Sequence, residues 1–382
     1  MAGQDNKALG KAHVPWGSDG SGRYSTATLG CFRVIENSAP LVLNGLDVNA
    51  AGSAGAFTVA DYGTADGGTS MPLMHKIIQE VRRQDPTREI HIQYEDQPVN
   101  DFKSLFAFTE GIMPPREGVD TFKKHHDKVF VTASGTGFFE QCFPSNSVHL
   151  GVSFTAMHWL SEKPCDLSTV HMTQASPDEL GPWRAQAAKD YERILLARAA
   201  ELAPGGRLVV VNFCIDDNGY YLGHTDKGPN MFATMNRLWK KMADDGRITQ
   251  EEFKNTTMCN YYRTKEELVA PFKEGTAVHA AGLRLVSCET RVVRCPFRDA
   301  FLDGSGAGGK DPAKHAAWYV PTLRTWSNST FTTGLDATKR SAEERAALAD
   351  EMFAMYEKEA AADPEGHGMD YVHGYLVLEK AK

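Results

Sequence analysis

The sequence predicts an α/β fold in which a mostly parallel seven-stranded sheet is covered by helices on both faces and by a helical cap. Three observations support it. Short apolar segments typical of strands alternate with segments of helical periodicity along the 382 residues. A glycine-rich turn joins the first strand to a helix. Two helical segments interrupt the alternation late in the chain, where insertions commonly lie over the ligand-binding edge of such a sheet.

The strand candidates are short apolar runs bounded by polar or turn residues. They are residues 56–60, 89–94, 128–132, 148–154, 207–213, 283–290 and 375–378. Helical periodicity over 71–81 follows the first strand, and a long helix over 182–202 is predicted to end at the turn Pro204-Gly205-Gly206. Further helices are predicted at 231–245, 249–255 and 342–361.

The interruptions of the strand rhythm predict the domain organisation. Residues 1–213 should contain an N-terminal arm, a helix and the first part of the α/β domain. Residues 214–275 are predicted to form a helical cap insertion, and residues 300–365 a second cap segment. Strands of the sheet should return at 276–299 and 366–382. We therefore expect one sheet with a cap built from two segments.

Composition excludes several classes of partner. The chain has 49 acidic and 41 basic side chains, a formal net charge of −8 and no Lys/Arg block of the kind that follows a phosphate backbone. No run of about 18 apolar residues could span a membrane. The first thirty residues are polar and glycine-rich, without an apolar signal segment. We expect a cytoplasmic protein with no nucleic-acid or membrane partner, and leave a homodimer open.

The seven cysteines are scattered, with no C-x-x-C pair and no His at zinc-finger spacing. We expect reduced thiols and no metal site. The tandem pair His125 and His126 is interpreted as a solvated helix end.

The glycine-rich turn at residues 61–68 is the first candidate ligand-binding feature. Glycines let the backbone approach a cofactor closely, and the helix that follows points its N-terminus towards the turn. A dinucleotide loop and a plain strand-helix turn would fit equally well. Gly63, Gly67 and Gly68 give G-x-x-x-G-G instead of G-x-G-x-x-G, which disfavours a dinucleotide.

An acidic pair follows the next predicted strand, where Glu95 and Asp96 precede Gln97 and Pro98. An acidic residue at the end of the second or third strand can accept hydrogen bonds from both ribose hydroxyls of a nucleoside ligand. An NAD-dependent enzyme would show the same arrangement. The pattern therefore predicts a nucleoside-containing ligand without identifying it.

Several motifs, in the same order, resemble those of the SABATH family of plant small-molecule methyltransferases. Residues 61–67 (DYGTADG) are similar to the family's Asp-Leu-Gly-Cys-Ser-Ser-Gly turn, and residues 95–102 (EDQPVNDF) to its Asn-Asp-Leu-Pro-x-Asn-Asp-Phe segment. Three later segments resemble Gly-Ser-Phe-Tyr, Leu-Phe-Pro-x-Asn-Ser-Leu-His and His-Trp-Leu-Ser. They are TGFF at 136–139, CFPSNSVH at 142–149 and HWLS at 158–161.

The resemblance implies a Rossmann-like methyltransferase fold, with S-adenosylmethionine as cofactor and S-adenosylhomocysteine as product. Tyr24 would close over the cofactor, Asp96 would hold the ribose hydroxyls, and Gln97 and Phe138 would flank adenine. An aromatic slot for adenine and a fixed acceptor for ribose agree with this chemistry. The cofactor-binding residues implied by the resemblance are Tyr24, Asp61, Gly63, Asp96, Gln97, Gly137 and Phe138.

On the acceptor side, the resemblance implies that His158 and Trp159 line the substrate pocket, with the indole N–H able to donate to a substrate oxygen. Cys31 falls where the family has a glutamine that helps to hold the substrate carboxylate, and a thiol cannot hold it in the same way. Our main hypothesis is O-methylation of a small carboxylic acid, which is ionised at neutral pH and needs no base. An amine or phenol acceptor would need deprotonation, for which His158 is the candidate catalytic base.

Other hypotheses stay open at this point. N- or S-methylation of a small molecule is compatible with the same fold. A noncatalytic nucleoside-binding protein would belong to a different functional class. An NAD-dependent oxidoreductase is disfavoured by the glycine spacing. None of the methyl-transfer hypotheses requires a metal.

Overall fold

A computed structural model describes residues 15–17, 19–50, 52 and 55–382 of the chain. Residues 1–14, which begin the predicted arm, and residues 18, 51, 53 and 54 lie outside the described residues.

One sheet forms the centre of the fold. Its strands are β1 Phe57–Tyr62, β2 Ile90–Glu95, β3 Val129–Ser134, β4 Val148–Phe154, β5 Leu202–Ile215, β6 Arg263–Thr264, β7 Leu283–Val293 and β8 Tyr371–Lys380. Their order is β3-β2-β1-β4-β5-β8-β7, with β6 paired to β5. Strands β1 to β5 run parallel to one another, and β8 is antiparallel to both β5 and β7. The predicted mostly parallel sheet is confirmed, and the two-residue strand β6 adds an eighth strand to the predicted seven.

Helices connect most of the strands. They are α1 Arg23–Ala27, α2 Leu29–Leu43, α3 Met71–Gln84, α4 Phe102–Thr109, α5 Leu180–Glu201, α6 Met231–Asp244, α7 Gln250–Asn255, α8 Lys265–Val269, α9 Ala277–Ala280, α10 Pro296–Asp303, α11 Pro312–Thr333 and α12 Ala342–Ala362. Helices α7 and α12 both begin at capping boxes, in which Thr249 and Ser341 exchange hydrogen bonds with Glu252 and Glu344.

The turn predicted at Pro204-Gly205-Gly206 is wrong. Strand β5 begins at Leu202, directly after α5, and runs through this segment. Gly205 has a φ of 78°, and the register of β5 against β4 shifts between Val148 and Leu150. Between the pairs Val148–Leu202 and Leu150–Arg207, β5 has three more residues than β4, so the segment bulges out of the strand without ending it.

Strand β1 shows how the helices cover both faces of the sheet. All six of its residues are buried, as expected for a central parallel strand. Val59 packs in a core cluster with Ile78 of α3, whereas Ala60 packs in a second cluster with Ile194 of α5. The two clusters fix the carboxyl end of β1 between two helix layers.

The two late insertions are joined to each other through their helices. The first insertion is not purely helical, because it returns to the sheet as β6. Exposed and half-buried ion pairs link α6, α7 and the turns beside them to α12 and the turn before it. These pairs are Arg237–Glu359 at 2.5 Å, Arg247–Glu351 at 2.6 Å and Arg340–Glu252 at 2.6 Å.

All seven cysteines, which lie in the described part of the chain, are free thiols. His125 follows the 3-10 turn Phe122–Lys124 and its side chain is 54% exposed, as expected for a solvated helix end, whereas His126 is half-buried. None of the helices that the structure describes is long and apolar enough to cross a membrane. Among the same residues, no group of three His, Cys, Asp or Glu side chains is placed to hold a metal ion.

Candidate active site

The carboxyl ends of β1, β2 and β4 meet at one edge of the sheet, as parallel strands require. The turns that follow them line a cavity of about 350 Å³. Gly63 follows β1, Asp96 and Gln97 follow β2, and Thr155 follows β4. The volume lies in the usual range for a small-molecule pocket.

Asp61, at the end of β1, holds the turn that follows this strand. Its buried carboxylate accepts hydrogen bonds from Ser70 Oγ at 2.7 Å and Thr64 Oγ1 at 3.3 Å, and burial raises its pKa to about 6. Asp61 is not among the described residues that line the cavity, so it supports the turn. Gly63 does line it, at a φ of 71°, and a Cβ there would lie 2.2 Å from the Cβ of Ala156.

Asp96 points its carboxylate into the turn after β1. Oδ2 accepts a hydrogen bond from the backbone N–H of Ala65 at 2.7 Å, and Oδ1 accepts one from Gln97 at 2.8 Å. Burial raises the pKa of Asp96 to about 6, so the group is mostly ionised at neutral pH. Each oxygen keeps a lone pair for a ligand hydroxyl, which fits the predicted ribose contact.

The aromatic part of the cavity is carried by a loop that helix α5 holds in place. Phe138 and Phe139 line the cavity with ring centroids 4.7 Å apart. Arg198 of α5 donates to the carbonyl oxygens of Phe138 at 2.8 Å and Glu140 at 2.7 Å. Glu201, also fully buried, accepts from the Arg198 guanidinium at 2.8 Å. This buried ion pair therefore sets the position of Phe138.

The N-terminal arm is attached to the same edge. Ser25 of α1 donates its backbone N–H to Asp66 Oδ2 at 2.9 Å and its hydroxyl to Oδ1 at 2.5 Å. Its neighbour Tyr24 lies between the large cavity and a second, smaller one, and lines both. Asp66 thus holds Ser25, which is next to the tyrosine that the resemblance placed over the cofactor.

The smaller cavity has a volume of about 40 Å³. Tyr24, Thr155 and Trp159 line both cavities, so the two adjoin at these residues. Its wall is mostly aromatic. The aromatic side chains besides Tyr24 and His158 are Trp159, Phe213, Tyr262, Trp326 and Tyr371.

His158 and Trp159 are held by the chain segment that precedes β6. Tyr261 donates its backbone N–H to the carbonyl oxygen of His158, and Leu160 donates to that of Cys259, both at 2.9 Å. This pairing brings the neighbouring residues of the first insertion to the smaller cavity. The imidazole of His158 is 2% exposed and packs edge-on against Phe213, with ring centroids 4.9 Å apart.

Cys31 of α2 also lines the smaller cavity. Its Sγ lies 4.0 Å from the Tyr24 hydroxyl, and burial raises the pKa of the thiol to about 11. The thiol is therefore neutral at physiological pH, and brings neither a positive charge nor a strong donor to a carboxylate.

The structure divides the predicted site residues between the two cavities, and their roles stay predictions. The larger cavity is lined by Gly63, Asp96, Gln97, Gly137 and Phe138, the smaller one by Cys31 and His158, and both by Tyr24 and Trp159, whereas Asp61 lines neither. Sequence reasoning missed Thr155, Asp66 and the pair Arg198–Glu201. Asp66 stands inside the glycine-rich turn and could have been noticed as its second acid, whereas nothing local marks Thr155.

A model of the SAM-dependent carboxyl methyltransferase family matches residues 31–292, well over half of the chain. The chain belongs to this family. The SABATH resemblance, the use of S-adenosylmethionine and the assignment as a methyltransferase are thereby confirmed, and the NAD-dependent and noncatalytic alternatives lose their support.

Curated relatives of this carboxyl methyltransferase include plant enzymes. A probable S-adenosylmethionine-dependent methyltransferase of Arabidopsis thaliana is 28% identical over 253 residues, which are 61% of this chain and 67% of the relative. Loganic acid O-methyltransferase of Catharanthus roseus is 25% identical over 56% of this chain and 57% of its own length. A solved loganic acid methyltransferase with SAH shares the fold, with a TM-score of 0.72 at 19% identity over 94% of this chain and 96% of that chain.

Replacing Asp96 tests the ribose contact of the carboxyl methyltransferase. Asp96→Asn should weaken S-adenosylhomocysteine binding by roughly 1–3 kcal/mol, because hydrogen bonds to a charged acceptor are lost. Wild-type affinity should also fall as the pH drops from about 7.5 to about 5.5, since ligand hydroxyls favour the ionised carboxylate and protonation competes with them. Calorimetry at several pH values measures both. Because Asp61 and Asp66 titrate in the same range, only the part of the slope lost in Asp96→Asn belongs to Asp96.

Replacing Arg198 tests the support of the aromatic loop. Arg198→Lys keeps the charge but cannot reach both loop carbonyls and Glu201 at once, so S-adenosylhomocysteine affinity should fall by about 1–2 kcal/mol. The matched control is Arg193→Lys on the same helix, because Arg193 pairs with Glu140 from the exposed side. Calorimetry should find the control unchanged. Wild-type affinity in a folded Arg198→Lys variant would show that the loop holds its place without this pair.

Proposed function

We propose that this methyltransferase methylates a carboxylate oxygen of a small organic acid, with the cofactor in the larger cavity and the acid in the smaller one. One observation carries the proposal: the two cavities adjoin at Tyr24, Thr155 and Trp159. Ligands in adjoining cavities approach each other at this junction, and proximity with orientation is most of what methyl transfer needs from a protein.

The residues of the larger cavity fit the cofactor. Asp96 offers oxygen lone pairs to the ribose, and Phe138 offers an aromatic face to adenine. The backbone at Gly63, which has no side chain, leaves room for the rest of the S-adenosylmethionine molecule. When bound, S-adenosylmethionine supplies a methyl group on a sulfonium. A carboxylate oxygen bonds to the methyl carbon as the carbon–sulfur bond breaks, the electron pair of that bond stays on sulfur, and no proton is released.

The smaller cavity suits an acid whose body is apolar and flat. Neither Lys nor Arg is among the described residues that line it, so neutral donors have to hold the carboxylate. The Trp159 indole N–H, the Thr155 hydroxyl and the Asn260 amide are such donors. His158 is then a wall of the pocket, because an ionised acid needs no general base.

The size of the smaller cavity implies movement. About 40 Å³ is below the usual size of a ligand pocket, so lining side chains must shift to admit an acid. Tyr262 comes from the first insertion and Trp326 from the second. We propose that residues 214–275 and 300–365 act together as a cap that opens and closes over the acceptor. The cytoplasmic location and the homodimer stay predictions.

A screen of carboxylic acids with radiolabelled S-adenosylmethionine tests the proposed reaction. The panel should include benzoate, cinnamate and octanoate, together with loganic and jasmonic acids, after which relatives are named. Trp159→Phe should raise the KM of the best acid by about 5- to 20-fold, because one hydrogen bond to a charged group is lost while the ring remains.

S-adenosylhomocysteine affinity is the control for Trp159→Phe and should stay near the wild-type value. A wild-type enzyme that methylates amines or thioethers but no acid would overturn carboxylate methylation. Parallel loss of cofactor affinity and acid turnover would instead mean that Trp159 supports the fold.

Hydrogen exchange tests the cap. Amides in α11 and in residues 257–262 should exchange more slowly when S-adenosylhomocysteine and the methyl ester of the best acid are both present. Amides of β1 and β4 provide the internal control, because central strands should not respond. Identical exchange of the cap with and without ligands would contradict its movement.

A further inference from the structure

Thr155 has an unusual backbone conformation at the junction of the two cavities. It follows β4 with a φ of 60°, and a β-branched residue in the left-handed region is strained. Its backbone N–H donates to the carbonyl oxygen of Val211 at 2.7 Å, which ties the residue to β5. Such strain persists only where the surroundings impose it, and here the imposed conformation accompanies a side chain that lines both cavities.

His373 of β8 is the hydrogen-bond partner of this hydroxyl. Its Nε2 lies 3.1 Å from Thr155 Oγ1, and its ring is stacked on Phe213 with centroids 4.3 Å apart. The side chain is fully buried, and burial lowers the pKa of His373 to about 3. The imidazole is therefore neutral at physiological pH and carries one ring proton.

The position of that proton decides what the hydroxyl can do. Nδ1 of His373 has no hydrogen-bond partner within the described part of the chain. An N–H at the buried Nδ1 would have no acceptor in the described part of the chain, so we assign the proton to Nε2, where Thr155 Oγ1 accepts it. A hydroxyl that accepts from His373 must direct its own proton elsewhere.

We propose that Thr155 donates this proton to a carboxylate oxygen of the acceptor, and that His373 is the positioning residue that orients the hydroxyl. The proposal rests on the proposed function, carboxylate methylation. It accounts for how a cavity holds an anion when its described lining residues include neither Lys nor Arg and the thiol at Cys31 is neutral.

The contact has a predictable kinetic signature. The charge of the carboxylate declines as its oxygen bonds to the methyl group, so the hydrogen bond is strongest to the free acid and weakest to the ester. It therefore stabilises the bound acid more than the transition state. Loss of the contact should therefore raise KM without lowering kcat, which should stay the same or rise modestly, and the methyl ester should be held no more weakly than before.

Thr155→Val is the direct test, because it removes the hydroxyl while keeping the shape and the β-branching. The probes are the acid with the highest wild-type turnover in the panel and its methyl ester. KM for the acid should rise about 10- to 100-fold, with kcat within about threefold, and inhibition by the methyl ester and S-adenosylhomocysteine affinity should change less than about twofold. Thr155→Ser, which keeps the hydroxyl, should stay within about threefold of wild type.

His373 needs a readout that a structural role would not move. His373→Phe keeps the ring against Phe213 but loses the N–H, so KM for the acid should rise by about 3- to 10-fold, and His373→Gln, whose amide can donate, should restore it. In a Thr155→Val background the His373→Phe substitution should have no further effect on KM.

The outcomes separate this proposal from the one it rests on. Acid methylation by wild type with an unchanged KM in folded Thr155→Val overturns the Thr155 contact alone. An equal rise of KM for the acid and of the inhibition constant for the ester also overturns it, since the contact would not depend on charge. A wild-type enzyme that methylates none of the acids overturns carboxylate methylation, and the Thr155 contact with it.

Discussion

Hydrogen bonds from turn backbone and hydroxyl groups to buried carboxylates hold the edge of the sheet on which the rest of the site depends. Glu95 accepts from the N–H of Gly63 at 3.1 Å, Asp96 from that of Ala65, and Asp66 from that of Ser25. Burial raises the pKa of all three carboxyls. Their charged forms are costly without these donors, so the turns and the acids require each other. The arm, the turn after β1 and the end of β2 are consequently one unit.

Much of the fold can be predicted from the sequence because parallel strands are short, apolar and separated by helices. All seven predicted strands exist, and the helices at α3, α6 and α12 start at the predicted residues. The prediction failed where the same residue type can form two different structures. Gly205 marks a turn in most sequences, but here its positive φ makes a bulge inside β5. Strand β6 is two residues long, too short for any periodicity.

The residues of the larger cavity could be predicted from the sequence better than the contacts beside the smaller one. Residues of the larger cavity such as Asp96 and Phe138 stand in local motifs that directly follow strands, and the position of a local motif can be predicted from its neighbours in the sequence. Thr155 and His373 are 218 positions apart, and their contact exists only because β8 inserts antiparallel between β5 and β7. A left-handed φ at a threonine has no sequence signal either. The support of Phe138 by Arg198 also joins residues that are far apart in the sequence, here by 60 positions.

The two cavities differ in which part of the fold forms their walls, and this difference affects how the range of acceptors could change. The turns that face the larger cavity are built into the sheet edge, whereas Tyr262 and Trp326 of the smaller one come from segments outside the sheet core. Substitutions at these two positions would alter the shape of the smaller cavity without changing the acidic residues and glycines that follow β1 and β2. Under the proposed function, such substitutions would change the range of acids that the enzyme accepts while the turns around the larger cavity stay constant.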